Sequence, residues 1–145
     1  MNMPVAEFDI IRHYFTGTTG QRDDVILGIG DDAALLKCEP GIRLVEASAT
    51  AYPDPHQSPV SLANNLLTTC IQGLLIQQAK PAWLSLSLTL EQPDEAWLQS
   101  FSAELLSLAQ AAEITLVGGD TTRGHAHMTL SLIGHRGAGA SDHGN

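Results

Sequence analysis

Two short segments hold most of the side chains that could do chemistry. The first is Gly28-Ile29-Gly30-Asp31-Asp32. Its glycines permit a tight turn, and its adjacent carboxylates are the hard oxygen donors that Mg²⁺ takes. The second is Gly118-Gly119-Asp120-Thr121-Thr122-Arg123-Gly124. Two glycines there expose backbone N–H groups, Asp120 adds a metal donor, and Arg123 suits a phosphate. The chemistry implied is a phosphate chain held through Mg²⁺. Each segment also has a plainer reading. The first is equally an acidic turn between two strands. The second could be a polar hairpin loop in which Asp120 caps its own turn, but its density of useful groups favours a site. The first is not a dinucleotide fingerprint, since no third glycine and no helix follow.

Other candidates carry less. His125, His127 and His135 could in principle share a metal, but they lack zinc-finger spacing, so strand-surface histidines are expected. His56 sits in a loop set by Pro53, Pro55 and Pro59. Cys38 and Cys70 are the only cysteines, and neither forms a CxxC. A reduced, cytoplasmic setting is the expectation. Cys70 lies on an apolar helical stripe with no basic neighbour, which predicts a core position and not a nucleophile.

The elements that must position these residues follow from periodicity. Pro4 opens a short amphipathic helix over residues 4–16. Strands are expected at 25–27, 33–37 and 42–50. Ser58 caps a helix that starts at Pro59 and runs to about Gln78, with Leu62, Leu66, Cys70 and Leu74 on one stripe. Residues 83–90 alternate as a strand with Leu on one face and Ser or Thr on the other. Residues 94–112 form a helix with Trp97, Phe101, Leu105, Leu108 and Ala112 inward. Strands at 114–117 and 128–134 complete the order αβββαβαββ. The fold class is α+β, a mixed or antiparallel sheet covered on one face by two long helices. The half-polar other face makes self-association an expectation. One domain is expected over residues 1–135, with a loose tail at 136–145.

Composition bounds the partners. The chain has 145 residues, 43% of them hydrophobic, and a formal charge of −9. This suits one globular domain and opposes nucleic-acid binding, because a phosphate backbone would be repelled. No unbroken apolar run reaches the length of a membrane span. Glu7 and Asp9 near the start, without a basic stretch, predict no signal peptide.

Taken in order, five segments resemble one family. They are residues 7–11, the run from Gly28 through Leu36, Pro81-Ala82-Trp83-Leu84, Asp94-Glu95-Ala96-Trp97-Leu98, and the segment from Gly118 to Gly124. They resemble the N-terminal domain of bacterial thiamine-monophosphate kinases, in the aminoimidazole ribonucleotide synthetase-like superfamily. The resemblance implies an α+β domain whose sheet pairs with its twin in a homodimer, with ATP and Mg²⁺ near that interface. It implies metal positions at Asp32, Ser48 and Asp120, with Asp31 adjacent. It implies nucleotide contacts at Gly119, Asp120 and Arg123, and a substrate contact at His56.

Two departures change the functional expectation. The family's Ser-Thr-Asp-Thr strand motif appears here as Ala47-Ser48-Ala49-Thr50. Its Asn-x-Ser-Asp helix motif, followed by Ala-Met-Gly, appears as Cys70-Ile71-Gln72-Gly73, followed by Ile76-Gln77-Gln78. Two metal aspartates have become Ala49 and Gly73, and Mg²⁺ tolerates lost oxygen ligands poorly. The first expectation is a stand-alone, catalytically degenerate kinase-like domain with residual Mg²⁺ or nucleotide binding. The second is one part of an active thiamine-phosphate kinase that needs a partner domain. The third is a structural module that dimerises with, or regulates, a full-length relative.

Overall fold

In the computed structural model the described residues are Ile10, 13–15, 22–28 and 33–137. The elements are β1 (Val25–Leu27), β2 (Leu35–Leu36), β3 (Arg43–Ala51), α1 (Pro59–Ile76), β4 (Lys80–Leu90), α2 (Glu95–Ala111), β5 (Thr115–Arg123) and β6 (His127–Arg136). Ile10 and residues 13–15 are helical, and Ile10 and Phe15 are buried. Asp31 and Asp32 lie outside the described residues, as do residues 138–145.

The expected architecture is present. β3, β6, β4 and β5 form one sheet in that spatial order. β6 is antiparallel to both β3 and β4, and β4 is parallel to β5. It follows that β3, β4 and β5 all run the same way. The parallel pair is joined through α2, the crossover such strands require.

Local chemistry explains both helices. Ser58 is extended, and its hydroxyl accepts the Ser61 N–H at 3.0 Å, satisfying a donor the first turn leaves open. Asp94 does the same for the Trp97 N–H at 3.1 Å. Leu62, Leu66, Cys70 and Leu74 of α1 are buried as the periodicity predicts. In α2 the buried stripe centres on Leu98, Phe101, Leu105 and Ala109. Trp97, Leu108 and Ala112, expected inward, sit half-buried at its flank. Trp97 instead stacks on Phe101, with ring centroids 4.9 Å apart.

The helices cover the sheet face built from Leu84, Leu86 and Leu88 of β4 and Met128, Leu130 and Leu132 of β6. By length and a mean hydropathy of 1.2, α1 would suit a membrane. Its apolar stripe is instead packed into this core.

Among the described residues the opposite face is covered at one end only. There β1 and β2 pair as a small antiparallel ribbon. Val25, Ala34 and Leu36 pack on Trp83, Val117 and Ile133, forming a second, smaller core. A two-stranded ribbon is marginal alone, so this contact is what seats it.

Two boundaries differ from expectation. β5 does not stop at Val117 but continues through Arg123. Pairing with β4 persists to Leu90↔Arg123, and this ladder outweighs the turn tendency of Gly118-Gly119. β6 reaches Arg136, which is buried and donates to the Gln77 carbonyl at 2.9 Å, so position 136 belongs to the packed domain.

Candidate functional site

The second motif is therefore a strand and not a loop. Its placement turns on one irregularity. Leu84 pairs with Leu116, but Ser85 pairs with Gly118, so Val117 is an extra residue on β5. A one-residue slip exchanges the faces of every following side chain. Beyond it, Asp120 stands opposite Ser87, on the face away from the helices.

That face is an array of small hydroxyls. The register aligns Ser48, Ser131, Ser85 and Gly118 in one row across the sheet. The next row is Thr50, Thr129, Ser87 and Asp120. Thr50 and Thr129 share a hydrogen bond of 2.7 Å, and Thr89 and Thr122 one of 2.8 Å. Asp120 and Gly119 are exposed. A flat, polar floor with Asp120 at one margin and Glu46 at the other can present donors to phosphate or metal-bound water, but it does not by itself enclose a ligand.

Ser48 and Asp120 do not meet within one chain. β3 and β5 are the two edges of the sheet. Three strand spacings separate them, about 14 Å, whereas ligands of one Mg²⁺ lie within about 4 Å of each other. Among the described residues no group of three His, Cys, Asp or Glu side chains could hold a metal.

The two positions where the family carries aspartates do fall together. Ala49 lies on the helix side of β3 with Ala47, two residues away on the same face. A Cβ on Gly73 of α1 would stand 3.1 Å from the Ala47 Cβ. Among the described residues this seam between β3 and α1 contains no carboxylate. Gly73 lets α1 approach the sheet closely at this point, where a Cβ would press on Ala47.

His56 is exposed in the loop after β3, and its N–H donates to Asp54 Oδ1 at 2.8 Å. Arg123 is exposed at the end of β5. Because β3, β4 and β5 share a direction, Ser48, His56, Asp120 and Arg123 all lie toward one end of the domain. His125 is paired with Glu91 at 3.5 Å at that end, and His127 packs beside Tyr52 with ring centroids 5.9 Å apart. His127 and His135 cannot share a metal, since eight strand residues separate them by about 27 Å.

At the opposite end of the sheet lies a cluster that sequence reading missed. Arg22 grips Asp24 at 2.9 Å and donates to the Glu113 carbonyl at 2.9 Å. Trp83 donates its indole N–H to Asp24 at 2.9 Å. His135 Nε2 lies 3.4 Å from Arg22 and 4.0 Å from Asp24. The hydrogen bond from Arg22 is the largest influence on Asp24 and holds its carboxyl below the usual value, against the opposing effect of burial. A cavity of about 670 Å³ opens beside this cluster, lined by Arg22, Lys37, Glu113, Thr115 and His135 among others. It is remote from the motif end. No local signal links Arg22 to Trp83 or His135, because the contacts form only in the fold.

Burial pushes the Cys70 thiol up to about 11, which keeps it a neutral core group. Cys38 is exposed.

Residues 30–135 match the family described as AIR synthase related protein, N-terminal domain. The chain is similar to the thiamine-monophosphate kinase of Escherichia coli K12, 42% identical over 136 residues. That alignment covers 91% of this chain and 42% of the kinase. A crystal structure of thiamine-monophosphate kinase from Stenotrophomonas maltophilia K279a superposes with a TM-score of 0.74 at 34% identity, covering 90% of this chain and 42% of the other. AaThiL complexed with AMPPCP and TMP shares the fold, with a TM-score of 0.63 at 14% identity, covering 70% of this chain and 35% of that one. The chain thus spans less than half the length of these relatives.

Proposed function

Because the chain belongs to the AIR synthase related protein family, as its N-terminal domain, we propose that it is a thiamine-monophosphate kinase-like domain whose own phosphoryl-transfer site is degenerate. The observation that carries this is the seam between β3 and α1. Ala49 and Gly73 occupy it where the resemblance places two metal aspartates, and Gly73 lies against Ala47 with no room gained for a new ligand. Kinase catalysis of this kind is positioning plus neutralisation of phosphate charge by Mg²⁺. Losing two carboxylates removes ligands and charge together. In this reading the Mg²⁺ position on the helix side is lost, while Ser48 and Asp120 on the other face, with Asp32 and Asp31, keep a weakened hold on Mg²⁺. Gly119 and Arg123 keep contact with ATP, and His56 faces the thiamine phosphate.

The separation of Ser48 from Asp120 supports a homodimer as part of this reading. The edge that carries Ser48 and the edge that carries Asp120 are about 14 Å apart in one chain. A second copy laid isologously on the hydroxyl face can bring one copy's β3 edge toward the other's β5 edge. A full-length kinase relative is an alternative partner for the same face.

The test is cation-dependent thermal stabilisation, since a ligand that prefers the folded state raises its apparent stability. Millimolar Mg²⁺ or Mn²⁺ is expected to raise the melting temperature by about 1–3 °C, and Asp120→Asn to abolish that rise. No shift in either protein would mean that the site is vestigial and that the purely structural reading holds.

A further inference from the structure

We propose that the cavity at the end of the sheet away from the sequence motifs binds a small apolar zwitterion, a short peptide with a free ammonium and a free carboxylate. The cavity shares no residue with the phosphoryl-transfer site, so its occupancy is independent of whether that site works. Its volume of about 670 Å³ is that of a small-molecule site. One wall is already built. Arg22 is fixed by Asp24 at 2.9 Å and by the Glu113 carbonyl at 2.9 Å, and Trp83 fixes Asp24 in turn at 2.9 Å. His135 Nε2 completes the group, 3.4 Å from Arg22. A ligand that settles against this group orders no further side chain in it, which lowers the cost of binding.

The remaining charges decide the ligand. Arg22 and Asp24 neutralise each other, which leaves Lys37 against Asp23, Glu39 and Glu113. Among the described residues none of these four side chains is in an ion pair. Charges of both signs thus line one space without closing on each other. A simple anion would meet three carboxylates there, and a simple cation would leave Lys37 unanswered. A zwitterion answers both, with its carboxylate beside Lys37 and His135 and its ammonium beside Glu39 and Glu113. Ile42 and Ile114 supply apolar surface for the body between them. Glu113 adds a separate observation. Its φ of 59° favours glycine, yet a charged residue holds the position where it lines the cavity. Backbone strain of this kind clusters at ligand sites.

Cys38 is the reporter. It lines the cavity and is exposed, whereas Cys70 is buried, so a small neutral maleimide reads this place alone. Cys38→Ser is the control for the labelled position. Glycylleucine is the probe, and at millimolar concentration it is expected to slow labelling at least fivefold, at any protein concentration. N-acetylglycylleucine lacks the ammonium and glycylleucinamide lacks the carboxylate, and neither is expected to protect. Glu113→Gly relieves the left-handed strain and removes the carboxylate, so it keeps the fold. In that variant and in Lys37→Gln the apparent affinity for glycylleucine is expected to fall at least fivefold. Each variant is compared with its own unprotected rate, so a change in Cys38 reactivity cancels. Absence of protection by glycylleucine overturns the proposal. Equal protection by either blocked analogue also overturns it, because the cavity would then take a plain anion or cation. Undiminished protection in either variant does the same. Neither Mg²⁺ nor ATP enters the assay, so failure of the kinase-like reading leaves the test intact.

Discussion

Trp83 and Asp24 are joined by an indole-to-carboxylate hydrogen bond of 2.9 Å across 59 positions of sequence. This bond helps seat the β1–β2 ribbon on the sheet face away from the helices. Asp24 also takes the Arg22 guanidinium at 2.9 Å, so one carboxylate holds the start of β1 to β4.

The first prediction is the pH dependence of this clamp. The Arg22 hydrogen bond, with help from Trp83, lowers the Asp24 value below its ordinary 3.8. A lowered folded value means stability that is fully present above the unfolded value and lost as pH falls through the folded one. Asp24→Asn should therefore cost about 2 kcal/mol at pH 7, by weakening charge-assisted bonds. The gap between parent and variant should shrink as pH falls below about 4. Urea denaturation at several pH values measures it, and a gap that is constant or widens toward acid contradicts it.

The second prediction concerns the helix ends. Gln78 and Glu113 have φ of 60° and 59°, the left-handed region that favours glycine. Both sit just past a helix. Ala79 N–H reaches back to the Leu74 carbonyl at 2.9 Å, and Ile114 N–H to that of Ala109 at 2.8 Å, the hydrogen-bond pattern of a Schellman stop. The family's helix motif has Gly where Gln78 stands. Left-handed geometry costs an L-residue about 1–2 kcal/mol, partly offset by the chain entropy of glycine. Gln78→Gly and Glu113→Gly should each stabilise by about 0.5–1 kcal/mol in chemical denaturation. Destabilisation by either would show that the side chain makes a compensating contact.

These details mark how far the sequence could be read. The caps at Ser58 and Asp94, the α1 stripe and the alternation of β4 are local patterns, and local patterns survive folding. The end of β5 is not legible locally, because Gly118-Gly119 signals a turn while eight paired positions on β4 decide otherwise. The extra residue at Val117, which sets the face of Asp120, depends on cross-strand register that no single segment contains. The site is likewise legible as residue types but not as a place. Ser48 and Asp120 belong to one motif set yet stand on opposite edges, and only the strand order reveals that.

The third prediction follows from the hydroxyl face. If two copies meet there, the chain sediments as a dimer at micromolar concentration. Ser85 and Thr129 lie within that face, on β4 and β6. Ser85→Glu or Thr129→Glu would place like charges against each other across the two-fold axis. Either change should shift the dimer to monomer by at least tenfold in dissociation constant, with far-ultraviolet circular dichroism unchanged. A monomeric parent at micromolar concentration contradicts the prediction.

The proposed loss of a working phosphoryl-transfer site rests on Ala49 and Gly73, which bring no carboxylate to the seam between β3 and α1. Its most direct measurement is single-turnover transfer from γ-labelled ATP to thiamine monophosphate with saturating Mg²⁺. Transfer is expected at least a thousandfold below the ordinary kinase range of about 1–100 s⁻¹. Turnover within that range by the chain alone would contradict it.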